Sequence, residues 1–155
     1  MASIDLKINR SMAKVTLKSV PDQPGIAAEV FSALGEQGIN VELLSTVATG
    51  KGRGDISFAV PEQEMGRVAP ILEGLRQKLG AQKTEKDSGV SLVSLYGEKL
   101  SSDPAFSSRL FKSLAKEGIN LQMISQSVSA LSFLVDRAKL DQAVSILKGT
   151  GEIEG

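Results

Sequence analysis

Seven residues recur at one fixed spacing. Pro24, Phe31, Leu34, Gly38, Ile39, Asn40 and Ser45 reappear 80 positions later as Pro104, Phe111, Leu114, Gly118, Ile119, Asn120 and Ser125. A repeat of this length makes the chain two copies of one supersecondary unit, so the order of elements in one copy predicts the other. The most informative part of the first copy is Val20-Pro21-Asp22-Gln23-Pro24-Gly25-Ile26. Asp22 or Gln23 ends a strand and caps a helix, and Pro24 suits the first helical position because its missing N–H is no loss there. The amides of Gly25, Ile26 and Ala27 are then free donors at the positive end of a helix dipole. A small carboxylate fits such a place, and so does a plain helix start.

The periodicity predicts the elements around that turn. Ile4 to Ile8 and Val15 to Val20 alternate as half-buried strands, with Asn9-Arg10-Ser11 read as a turn between them. The helix from Pro24 to about Glu36 carries Ala27, Val30, Phe31 and Leu34 as its buried stripe. Gly38 closes it. Strands follow at Asn40 to Val47 and Asp55 to Val60, joined by the glycine-rich hairpin Gly50 to Gly54. That loop is followed by a strand, whereas a phosphate-binding loop opens a helix. A helix over Gln63 to Leu79, ended by Gly80, and a lysine-guarded edge strand over Ala81 to Lys86 complete the first copy.

Asp87-Ser88-Gly89 links it to the second. There, strands are expected at Val90 to Tyr96, Asn120 to Ser127 and Ala130 to Val135. Asp103 caps a helix whose inner face carries Ser107, Leu110, Phe111 and Leu114, and Lys139 to Lys148 form the last helix. Gly149 to Gly155 is expected to fray. This is the βαββαβ order of ferredoxin-like folds: α+β, antiparallel sheets with helices on one face. The first copy has a spare strand before it and the second lacks its last, so the N-terminal strand completes the second unit. The domains are therefore residues 11–88, and 89–155 with strand 3–9.

Composition removes several functions. The 155 residues hold no His, Cys or Trp. Zinc sites, thiol nucleophiles and a serine–histidine relay lose their usual parts, and no metal or cofactor is expected. Eighteen basic residues balance eighteen acidic ones, so bulk charge does not favour a nucleic-acid partner. A base-stacking sheet would need surface aromatics, and Tyr96 alone is a candidate. No apolar run is long enough to cross a membrane, and the lack of cysteine fits the cytoplasm. No acid–base pair at a persuasive spacing emerges, so no catalytic residue is assigned.

The ordered set Ala13-Lys14-Val15-Thr16, Val20 to Ala27, Gly38-Ile39-Asn40, Gly54 to Phe58 and Gly118 to Ser125 resembles tandem ACT domains, in particular the C-terminal regulatory region of aspartate kinase. The resemblance covers nearly the whole chain. It implies a non-catalytic regulatory module that binds threonine or lysine between ACT units and controls an amino-acid biosynthetic enzyme such as aspartate kinase, either as a fragment of that enzyme or as a subunit beside a separate kinase catalytic subunit. A homodimer is expected on other grounds, because small ferredoxin-like units present open sheet edges that symmetric pairing covers. The matching ligand positions are Asp22, Gly25, Ile26, Ala27 and Thr46 in the first copy, and Asn120, Leu121 and Ser127 in the second. Asp22, Asp55 and nearby carbonyls are candidate acceptors for the ligand's ammonium. Three places depart from the family pattern. Thr46-Val47 stands for Gln-Asn, Gly54 for Thr, and Asp103-Pro104-Ala105-Phe106 for His-Pro-Gly-Val, where Phe106 would crowd the equivalent amides. A structural dimerisation module with degenerate sites, or a free-standing amino-acid sensor, remain the alternatives.

Overall fold

The computed structural model describes residues 3–154. Its secondary structure has seven strands and five α-helices in two compact units. One unit is residues 11–88, and the other joins the N-terminal residues up to Arg10 with the chain from Gly89 onward.

The first unit takes Ser11–Pro21 from strand β1 (Ile4–Pro21), then helix α1 (Ile26–Gly35), β2 (Glu42–Gly50), β3 (Arg53–Pro61), helix α2 (Met65–Leu79) and the opening half of β4 (Lys83–Tyr96). Its strands lie in the order β2-β3-β1-β4. β3 pairs antiparallel with both β1 and β2. Along β1 the buried residues are Ala13, Val15 and Leu17, and on β3 they include Ile56, Phe58 and Val60. These meet Val30 and Leu34 of α1 and Val68, Leu72 and Leu75 of α2 in one core. Period two on the strands and period 3.6 on the helices thus converge on the same layer. Each fully buried leucine or phenylalanine there contributes about 1.5–3 kcal/mol over an exposed one.

The second unit repeats the plan with β4 (its closing half), α3 (Lys99–Ser102), α4 (Phe106–Lys116), β5 (Gln122–Gln126), β6 (Ala130–Asp136), α5 (Leu140–Lys148) and β7 (Ile153–Glu154). The N-terminal half of β1 completes it: Ile4 and Leu6 are buried in a core with Phe106, Phe133 and Leu147. Phe111 packs edge-on against Phe133, with ring centroids 6.3 Å apart. The repeat reaches the cross-strand pairs. Thr16 meets Ser57 through hydroxyls 2.8 Å apart in one unit, and Ser94 meets Ser132 at 2.9 Å in the other.

Several local expectations are corrected. Asn9 to Ser11 is no turn, because β1 runs through it without a break, and Asp87 to Gly89 likewise lies inside β4. Their polar side chains signal a stretch without a core on either face rather than a reversal. Ile153 is buried and pairs β7 in parallel with β1, so the tail is not frayed there. Gly155 lies outside the described residues. Phe31 is 48% exposed, and the buried stripe of α1 is Ile26, Val30 and Leu34. The short helix α3 was not expected.

Candidate functional site

The turn between β1 and α1 forms one wall of a cleft of about 460 Å³ in the first unit. Residues 20–27 supply that wall. Thr46, Val47 and Ala48 of β2, with Gly54, Asp55 and Ile56 of β3, supply the rest. The structure therefore brings Asp22, Gly25, Ile26, Ala27 and Thr46 to one cavity. Gly54 is needed at its position, since a Cβ there would sit 2.9 Å from the Val47 carbonyl oxygen.

The helix opens later than Pro24. α1 begins at Ile26, and Gly25 is its N-cap, in the left-handed region at φ 93°. Pro24 sits in the preceding turn. No side chain caps the helix, and the first amide whose acceptor lies in this turn is that of Glu29, which donates to the Gly25 carbonyl at 3.0 Å. The amides of Ile26, Ala27 and Ala28 are thus the free donors of the first turn. Asp22 is exposed, its own amide donates to the Gly52 carbonyl at 2.8 Å, and its carboxylate has no partner among the described residues. One free carboxylate and a set of free amides therefore lie within the seven residues Asp22 to Ala28. That pairing suits a zwitterion with adjacent ammonium and carboxylate groups.

Asp55 is differently placed. Its Oδ2 accepts from Lys18 Nζ at 2.6 Å and its Oδ1 from the Ser19 amide at 2.9 Å. These bonds hold its carboxyl below the usual range, chiefly through the lysine, and the same carboxylate raises the Lys18 ammonium. Ser19 is itself left-handed, at φ 56°, in the β-bulge that shifts register between Leu17 and Val20. Arg53 braces it by donating to its carbonyl and, at 3.1 Å, to its hydroxyl, while also donating to the Gly80 carbonyl at 2.7 Å. Lys18, Ser19 and Arg53 were missed by sequence reasoning. Nothing local announces a contact between residues 37 apart; only the strand register creates it.

In the second unit the equivalent turn is occupied by the chain itself. Ala105 replaces the left-handed glycine with an ordinary φ of −85°. Asp103 does not cap α4; its Oδ1 accepts from the Ala105 amide at 3.3 Å, and its Oδ2 pairs with Arg109 at 2.7 Å. Phe106 points into the core instead of crowding the amides. The Ser107 hydroxyl donates to Gln126 Oε1 at 3.0 Å, at the positions that correspond to Ala27 and Thr46. Of the other second-copy candidates, Asn120 is exposed, Leu121 packs on the core and Ser127 donates its amide to the Ala130 carbonyl at 2.8 Å. Among the described residues no cluster of acidic side chains could hold a metal, and no helix is long and apolar enough to cross a membrane.

Two family models, each described as an ACT domain, match residues 15–78 and 93–150. A crystal structure of aspartokinase alpha and beta subunits is 30% identical, with a TM-score of 0.83 over 92% of this chain and 94% of that one. The chain belongs to the ACT-domain family. The ligand-free regulatory subunit of aspartate kinase from Thermus thermophilus is 28% identical, with a TM-score of 0.84 over 93% of this tandem ACT chain and 95% of that one. The aspartate kinase of Stutzerimonas stutzeri (strain A1501) is 30% identical over 96% of this chain and 36% of its own length. The ACT chain thus spans about a third of the length of the curated relatives it matches. Escherichia coli aspartokinase III, solved in complex with lysine and aspartate, is 25% identical, with a TM-score of 0.65 over 94% of this chain and 32% of that one. The part matched is a regulatory one, and this ACT chain is a non-catalytic regulatory module.

Proposed function

We propose that this tandem ACT chain senses a small amino acid at the first unit's cleft and controls an amino-acid biosynthetic enzyme, aspartate kinase in the first place. The observation that carries the reading is the joint presence, in one cleft, of the unpaired Asp22 carboxylate and the uncapped start of α1. The ligand's carboxylate takes the amides of Ile26 and Ala27, and its ammonium takes Asp22. Threonine and lysine are the ligands that the family resemblance supplies. The contribution of Asn120, Leu121 and Ser127 from the second unit rests on that resemblance alone.

The same reading makes the chain a cytoplasmic homodimer that works with a kinase catalytic part, either on its own chain or on a separate subunit. Exposed apolar side chains such as Phe31 and Val47 support a partner surface in the first unit. The alternatives are a free-standing sensor and a dimerisation module whose sites have degenerated. Isothermal titration of the chain against the twenty amino acids separates these readings. Saturable heat from one or a few of them supports sensing, and no heat from any leaves the dimerisation module. Light scattering that shows only monomer at micromolar concentration removes the homodimer.

A further inference from the structure

We propose that Arg53 is a positioning residue for the cleft: it holds the β1 bulge in the backbone arrangement that presents the ligand turn, and it ties that turn to the C-terminal end of α2. The proposal rests on the reading of the cleft as an amino-acid site.

Arg53 does not line the cleft. It stands on the same face of β3 as Asp55, two residues on, and so opposite Gly54 and Ile56. Its side chain acts on the backbone behind the turn. Nε donates to the Ser19 hydroxyl at 3.1 Å, and Nη2 donates to the Ser19 carbonyl and, at 2.7 Å, to the Gly80 carbonyl. Ser19 needs such support. Its φ of 56° is disfavoured for a residue with a side chain, and it persists only where the surroundings over-determine it. The Asp55 carboxylate takes its amide at 2.9 Å and Arg53 takes its carbonyl and hydroxyl. All three polar groups of Ser19 are thereby held.

The cleft begins at the next residue. Val20, Pro21 and Asp22 are its first lining residues. Pro21 pairs with Arg53 itself, and the Asp22 amide donates to the Gly52 carbonyl at 2.8 Å. A relaxed Ser19 re-aims the chain that carries Asp22 and the free amides of α1. The other end of the bridge is Gly80, the left-handed C-cap of α2. Two residues further on, the Gln82 amide donates to the Lys18 carbonyl at 2.8 Å. Two separate bonds therefore join the bulge to the close of α2. A ligand that binds the braced turn more tightly than the relaxed one strengthens both.

The test is titration calorimetry of the whole chain against the twenty amino acids, repeated with the tightest of them on Arg53→Gln, on Arg53→Lys, and on each of these with Ser19→Gly added. Both single variants are expected to weaken binding ten-fold or more, since neither presents the planar fork of donors. Glycine takes a positive φ without steric penalty, so Ser19→Gly is expected to return most of the lost affinity. At equal saturation, hydrogen exchange at the Gln82 amide is expected to slow more in wild type than in Arg53→Lys. Wild-type affinity in a single variant that folds, by its melting curve, overturns the positioning role. A double variant no tighter than its parent overturns Ser19 as the route, and Gln82 exchange that ligand leaves unchanged in wild type overturns the tie to α2. Absence of binding by any of the twenty in wild type removes both this proposal and the reading beneath it.

Discussion

Lys18 Nζ lies 2.6 Å from Asp55 Oδ2, bridging β1 and β3 beside the bulge at Ser19. The pair is partly exposed, with 34% of the lysine side chain and 18% of the aspartate side chain accessible. Its value is positional rather than a large contribution to stability, since solvent screens such a pair. With the Arg53 contacts it pins the bulge from which the turn to α1 departs.

That geometry has a pH signature. The folded-state pKa of Asp55 lies below its ordinary value of 3.8. A lowered carboxylate pKa adds stability that is present above the unfolded value and is lost as pH falls through the folded one. Asp55→Asn is therefore expected to flatten the melting temperature against pH below about 3.8 and to lower it at neutral pH. An unchanged acid limb in the variant would show that the pair is not formed in solution.

Asp22→Asn tests the ligand's ammonium contact. A hydrogen bond to a charged group is worth about 1.5–3 kcal/mol, roughly 10- to 150-fold in affinity, and the exposure of Asp22 favours the lower end. Because Asp22 has no partner within the described chain, the melting temperature without ligand is expected to stay put. Calorimetry and a melting curve on the same sample read both.

Gly25 tests the backbone. Its φ is 93° and no atom lies within 4 Å of the place a Cβ would take, so the obstacle to a side chain there is conformational and not steric crowding. Gly25→Val is expected to cost about 1–3 kcal/mol, with Gly25→Asn milder because asparagine tolerates the left-handed region better. Denaturant melts that rank valine no worse than asparagine would contradict the conformation.

The self-occupied second turn sets a stoichiometry. With the Ala105 amide taken by Asp103, and Ser107 bonded to Gln126, one of the two repeat turns stays open among the described residues. Calorimetric titration is expected to give one effector per chain, and two equivalent sites would show that the second turn opens.

The N-terminal strand is part of the second unit's core. Ile4→Ala removes a fully buried side chain and is expected to cost about 2–5 kcal/mol. Deletion of residues 1 to 9 is expected to speed hydrogen exchange at Val90 to Tyr96 and Ala130 to Val135. Protection that stays at the wild-type level in those strands would sever this half of β1 from the unit.

The amino-acid sequence alone determined the two-unit plan and the assignment of its spare strand. Repeats, strand alternation and helix-ending glycines are encoded within a few residues of one another, so they survive without tertiary information. Gly38, Gly80 and Gly118 all take the left-handed φ expected after a helix. The repeat extends to a backbone irregularity: Leu43 is left-handed at a register shift in β2, and Met123, its counterpart at the repeat spacing, does the same in β5. Tertiary structure decided the rest. Whether polar Asn9 to Ser11 turns or runs straight depends on partners distant in sequence. Whether Phe31 is inside depends on how α1 is rotated against its sheet, which Ile26, Val30 and Leu34 settle together. Above all, the contact of Lys18 and Ser19 with Asp55 depends on the bulge in β1, because side chains on separate strands meet only through register.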